Sequence, residues 1–277
     1  MNSYTKVLLA TDFSEAASTL PDCLFALCPD IETEVILVHF LTEDEQCTTA
    51  QASLETLTAK IHQGCYKNVT ILSPRLKGDI FQEIHELAIN NQCDLVLAAS
   101  HDKGLLRTTF MGSVTLDLAR VSTYPLFIGS IYKEDSDSLP LLSKLLVATD
   151  FSKVSLLALD FIRALHEHIE EVVFVHIVEQ ARSSDELENK MNMGRQKLSE
   201  LVEEVKIFGV NASFIIEKGY ASKKLRKIAE ELDVSMVVMA KTGVGLAKSL
   251  PFGSTFQNYA ISTPRPLLLL PCIRDDD

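Results

Sequence analysis

Leu8-Leu9-Ala10-Thr11-Asp12-Phe13-Ser14 returns almost unchanged as Leu146-Val147-Ala148-Thr149-Asp150-Phe151-Ser152, an offset of 138 residues from Asp12 to Asp150. Other pairs keep nearly the same spacing. Val38-His39 returns as Val175-His176 (137), while Gly112-Ser113 and Pro125-Leu126 return as Gly253-Ser254 and Pro266-Leu267 (141 each). Offsets this constant across half a chain mean two copies of one domain that differ in loop length. The stretch Tyr132–Pro140, polar, acidic and closed by proline, reads as the linker. The copies are therefore expected at 1–134 and 141–277.

Within each copy, short apolar runs alternate with helical patterns. The runs are Val7–Ala10, Val35–Phe40, Val69–Leu72, Leu95–Ala99 and Leu126–Ile131, then Leu145–Ala148, Val172–Val178, Ala212–Ile216, Met236–Ala240 and Leu267–Leu270. They lack polar alternation, as suits strands covered on both faces of a parallel sheet. Between them, Asp79–Asn91 gathers Ile80, Ile84, Leu87 and Ala88 on one helical face, and Ser222–Leu232 does the same with Leu225, Ile228, Ala229 and Leu232. Ser14 and Ser152 stand where helix N-caps belong. The fold class is α/β, two tandem doubly wound, Rossmann-like domains, each with a five-stranded, mainly parallel sheet.

Composition narrows the function. The chain has 277 residues, 26 Lys plus Arg against 38 Asp plus Glu, and a net charge of −12. That balance argues against nucleic acid, which needs a basic surface. No apolar run reaches a membrane-spanning length and no secretory pattern opens the chain, so a cytoplasmic location is expected. The six cysteines show no Cys-x-x-Cys spacing, and most of them read as small buried hydrophobes.

In doubly wound sheets, ligands bind beyond the carboxyl ends of the strands where strand order reverses. Asp12 and Asp150 end the first strands, where a carboxylate could accept from ribose hydroxyls or an adenine amino group, or could simply begin the next helix. After the fourth strand of copy two come Ala240-Lys241-Thr242-Gly243 and later Gly253-Ser254-Thr255, glycine-bearing segments whose amides could face phosphate. They match neither a Walker loop nor a dinucleotide fingerprint. His39 and His176 read as satisfied, partly buried imidazoles, and the remaining helical histidines as surface positions. No catalytic triad or carboxylate pair can be assembled from repeated strand-end residues.

These residues resemble the universal stress proteins. Nucleotide-binding members carry Gly-x-x-Gly, nine residues, then Gly-Ser/Thr, with Thr-Asp-Phe-Ser after the first strand and a Val-His or Leu-His pair ending the second. The resemblance spans the chain as a tandem. It implies that Ala148, Asp150, Ile177, Met239, Ala240, Thr242, Gly243, Gly253, Ser254 and Thr255 form an ATP site, with Asp150 on the adenosine, the Ile177 backbone offered to adenine and Gly253–Thr255 on the phosphates. Whether Mg²⁺ accompanies the ATP stays open. Ala240 departs from the pattern by one methyl group.

The first copy departs further: its loop reads Ala99-Ser100-His101-Asp102, placing a carboxylate where glycine would approach phosphate. Asp12, Phe40, His101, Gly112, Ser113 and Val114 are its weaker candidates. Charge follows the same asymmetry. Residues 1–138 carry 9 Lys plus Arg against 19 Asp plus Glu, and residues 139–277 carry 17 against 19. A multiply charged anion should therefore favour copy two. The resemblance also implies that the apolar last strands pair, here the two copies with each other, with a homodimer of the tandem as a further option. Three functions compete: an ATP-binding regulator of the stress response, a nucleotide-free interaction scaffold, and a slow ATP hydrolase or phosphotransferase. No metal and no catalytic residue is expected.

Overall fold

A computed structural model describes residues 4–42, 47–99, 113–130, 139–241, 255, 258–259 and 265–271. The chain divides into two compact units, residues 2–134 and 135–277. Each is a parallel α/β sheet with helical crossovers, so the architecture anticipated from the repeat is the one observed.

In the first unit, β1 (Lys6–Ala10) leads through helices α1 (Glu15–Ser18) and α2 (Leu20–Leu27) to β2 (Glu34–Val38). Helix α3 (Cys47–Gln63), β3 (Asn68–Leu72), α4 (Ile80–Asn90), β4 (Leu95–Ala99), α5 (Ser113–Val121) and β5 (Leu126–Gly129) follow. Its strand order is β3-β2-β1-β4-β5. All four strand pairings in this unit are parallel, with Val7 opposite both Val35 and Leu95. The chain winds outward from β1 to β3, then returns to β4 on the other side of β1. Strand order thus reverses between β1 and β4, and their carboxyl ends splay apart there.

The second unit repeats the plan with β6 (Lys144–Ala148), α6 (Lys153–Leu165), β7 (Glu171–Val178), α7 (Ser184–Lys206), β8 (Asn211–Lys218), α8 (Ala221–Glu231), β9 (Met236–Ala240) and β10 (Leu267–Leu270), in the order β8-β7-β6-β9-β10. Val147 lies opposite Phe174 on one side and Val238 on the other. The central strands are buried almost throughout, as expected when helices cover both faces. Among the described residues, Tyr259, Phe127 and Phe174 are the largest fully buried side chains.

Local chemistry fixes the ends. Ser14 caps α1, its Oγ accepting from the Ala17 amide at 3.2 Å, and the Ser152 carbonyl accepts the Leu156 amide at the start of α6. At the amino-terminal ends of β1 and β4, the Asp94 carboxylate accepts from the Thr5 amide and hydroxyl, both at 2.8 Å, and from the Lys6 amide at 3.1 Å. Ser235 holds the matching place in the second unit, accepting from the Lys144 amide at 3.0 Å.

The cysteine expectation holds in part. Cys28 and Cys93 are buried and Cys23 is half-buried, but Cys65 is exposed at φ 61, on a turn that follows α3. Among the helical histidines, His168 is exposed, whereas His85 is half-buried with Nδ1 3.2 Å from the Tyr124 hydroxyl.

Candidate functional site

The quoted motif builds the same small structure twice. After β1, the Phe13 amide donates to Thr11 Oγ1 at 3.1 Å and the Ser14 amide to Asp12 Oδ1 at 3.0 Å. After β6, Phe151 donates to Thr149 Oγ1 and Ser152 to Asp150 Oδ1, both at 3.0 Å. These side-chain acceptors turn the backbone so tightly that Phe13 and Phe151 take φ of 58 and 63, a left-handed conformation rare for bulky residues. Such a residue costs on the order of 1–2 kcal/mol. The turn throws each ring against the histidine near the end of the next strand, one residue past β2 for His39 and two residues before the end of β7 for His176, with centroids 4.2 Å apart for Phe13–His39 and 4.5 Å for Phe151–His176.

Both imidazoles are tied to the first strand as well. Nδ1 of His39 lies 2.8 Å from the Thr11 carbonyl, and Nδ1 of His176 lies 2.8 Å from the Thr149 carbonyl. A carbonyl only accepts, so Nδ1 carries the proton and Nε2 of the neutral ring is an acceptor. The expectation of satisfied imidazoles is met by these bonds. Burial pushes the His176 imidazole below its ordinary pKa. The Thr149 carbonyl and Asp150 pull it back up, and the Lys197 ammonium adds to the lowering.

The copies diverge in openness. Asp12 is exposed, and Phe40 and His39 are buried at 5% and 7% exposure. In the second unit Asp150, His176 and Ile177 are all half-buried and line one cleft of about 430 Å³. Its floor comes from the ends of β6 and β7: Asp150, Phe151, His176, Ile177 and Val178, with Glu179 and Gln180 following. Its far wall is helix α7, through Lys190, Met193, Gly194 and Lys197. The helix comes this close because Gly194 has no side chain: a Cβ there would stand 2.4 Å from Ile216 Cδ1 and 3.3 Å from His176 Cδ2.

The remaining expected site residues fall as follows. Ala148 ends β6 and Met239 and Ala240 end the adjacent β9, so the switch point is where the chain pattern put it. Met239 is buried at 4% exposure, so its side chain belongs to the core. Thr255 is half-buried in a helical conformation, while Thr242, Gly243, Gly253 and Ser254 lie outside the described residues. In the first unit Ser113 opens α5 and Val114 is 38% exposed. Thr115 Oγ1 donates to the Ala99 carbonyl at 3.1 Å, tying that helix start to the end of β4. His101 and Gly112 lie outside the described residues.

The α7 wall was not read from the sequence. Matching the buried positions Ala50, Leu54 and Ile61 of α3 with Gly194, Leu198 and Val205 of α7 gives a constant offset of 144 and sets Lys197 against Ser53. Gly194 was the available signal, a glycine inside a helix of 23 residues. Lys197 holds its Nζ 5.0 Å from the Phe151 ring centroid. Glu179 closes the cleft's rim by accepting the Ala221 amide at 2.8 Å, at the positive end of α8. Among the described residues, no three His, Cys, Asp or Glu side chains are grouped to hold a metal ion, and no helix is long and apolar enough to cross a membrane.

A family model described as the universal stress protein family matches residues 3–128 and again residues 142–271. The chain belongs to the universal stress protein family. A curated member, universal stress protein MJ0577 of Methanocaldococcus jannaschii, is 24% identical over 151 residues, 46% of this chain and 93% of that protein. Two solved structures share the fold over nearly the whole chain. A universal stress protein from Archaeoglobus fulgidus superposes with a TM-score of 0.74 at 20% identity, covering 100% of this chain and 98% of its own. A putative universal stress protein from Pseudomonas aeruginosa gives 0.71 at 15% identity, covering 97% and 94%. This universal stress protein therefore has two family domains in tandem.

Proposed function

We propose that this universal stress protein is an ATP-binding regulatory protein of the stress response, with nucleotide held mainly in its second domain. The copies are taken as residues 1–134 and 141–277. The observation that carries the reading is the cleft beside the second domain's switch point. There a half-buried Asp150 and Ile177, next to the last residue of β7, face a wall bearing two lysines. Asp150 has a carboxylate to offer adenosine, and Ile177 a backbone amide and carbonyl. The glycine-bearing segments Thr242-Gly243 and Gly253–Thr255 follow β9 in sequence and supply amides suited to phosphate. In the first domain, an exposed Asp12, a buried Phe40 and Asp102 in the loop favour a part without a triphosphate.

Titrating ATP against the full chain tests this. Binding of one equivalent that is lost in Gly243→Asp, which installs the first copy's carboxylate, supports the proposal. A folded wild-type chain that takes up no ATP refutes it and leaves an interaction scaffold. Phosphate release that vanishes in Asp150→Ala or Ser254→Ala would assign a hydrolase instead.

A further inference from the structure

Helix α7 carries three lysines. Lys190 pairs with Glu186 at 2.8 Å and Lys206 with Glu203 at 3.0 Å, each along its own helix. Lys197 behaves differently. Glu200, one turn on, accepts from Gln196 at 3.1 Å, and among the described residues no carboxylate pairs with Lys197. Its ammonium instead lies over the Phe151 ring, beside Asp150 and His176, as part of the cleft wall. An exposed lysine resting on a ring is held only weakly, so a ligand atom can displace the ring as its partner. The first domain has Ser53 at the matching position and so lacks this cation.

The position of α7 decides which part of a ligand Lys197 can meet. The helix packs on β7 and β8, with Gly194 against His176 and Ile216. Strand β7 lies on the side of β6 away from β9, and the segments with Gly243 and Gly253 follow β9. A nucleotide with its ribose at Asp150 and its phosphates toward those glycines would therefore direct its base at α7. We propose that Lys197 contacts the base, its ammonium leaving the Phe151 ring to donate a hydrogen bond to a ring nitrogen of the purine. This rests on the ATP-binding reading above and makes α7 the specificity-determining wall of that site.

The experiment measures adenosine, AMP and ATP binding to the full chain by calorimetry, for wild type, Lys197→Met and Lys197→Arg. Loss of a charge-assisted hydrogen bond should weaken all three ligands by the same factor, roughly tenfold or more in Lys197→Met, with Lys197→Arg recovering most of it. The loss should not grow with phosphate number. In the ligand-free chain, the His176 imidazole should titrate at higher pH in Lys197→Met, because a neighbouring cation is gone. Unchanged affinities, a loss that rises from adenosine to ATP, or an unmoved His176 titration would each overturn the assignment. A wild type that binds ATP and loses it in Gly243→Asp, while Lys197→Met binds normally, sinks the base contact alone. A wild type that binds none of the three ligands sinks both readings.

Discussion

Replacing Gly194 by alanine sets two effects of known size against each other. Alanine is favoured over glycine inside a helix by about 1 kcal/mol. The new Cβ would stand 2.4 Å from Ile216 Cδ1, so that methyl must swing away, and 3.3 Å from His176 Cδ2, which must yield slightly. Pushing an isoleucine off its rotamer costs roughly 0.5–1.5 kcal/mol. The expected net change for Gly194→Ala is thus near zero, within about 0.5 kcal/mol. The diagnostic is the pair: Ile216→Val deletes the obstructing methyl and alone costs roughly 0.5–1 kcal/mol, at the low end for a half-buried site. In the double variant alanine recovers its full helical advantage, so the two changes should couple favourably by about 1 kcal/mol. Amide hydrogen exchange in β7 reads the stability of this unit by itself. Additivity within error, with Gly194→Ala stabilising by the full helical increment, would refute the close seating of α7 on β7 and β8. The wall of the cleft would then need another account.

Two further outcomes test the same physics. His176 has a lowered pKa in the folded chain, so below pH 6.5 the unfolded state takes up its proton first and stability falls with pH through the window down to the folded value. His176→Asn keeps a donor for the Thr149 carbonyl and removes the titration; urea unfolding between pH 5 and 7 should then show a shallower loss, and an unchanged slope would count against burial as the cause. Asp94→Ala removes three acceptor contacts to Thr5 and Lys6 and should cost the first unit about 1–3 kcal/mol. Asp94→Ser, the second copy's residue at that place, should restore part of it, measured by exchange in β1.

Some of the site was legible because it is local in sequence. Asp12, Phe13 and Ser14 and their repeats form bonds two residues apart, so the strand-ending turn is written in four adjacent residues. The apolar runs of 4–7 residues located the strands, although β8 extends beyond the anticipated Ala212–Ile216 to Asn211–Lys218. Its end residues Asn211 and Lys218 are polar and exposed, and hydrophobicity alone stops at the last apolar residue. Asp150 could be named in advance as a strand-end residue, and Ile177 through the family resemblance. Phe40 could be named too, but its burial could not, because burial depends on what packs over the strand end.

From the sequence by itself came the duplication, the parallel α/β class and the asymmetry of charge and loop glycines between the copies, all properties of patterns along one chain. Only the tertiary structure decided that α7 walls the cleft, that Lys197 lies over the Phe151 ring across 46 residues of chain, and that Ile177 lines a cleft where its counterpart Phe40 is buried. The reason is distance: helix-to-strand packing depends on side-chain volume at single positions such as Gly194, and a repeat search sees order and spacing but not the gap a missing methyl group leaves.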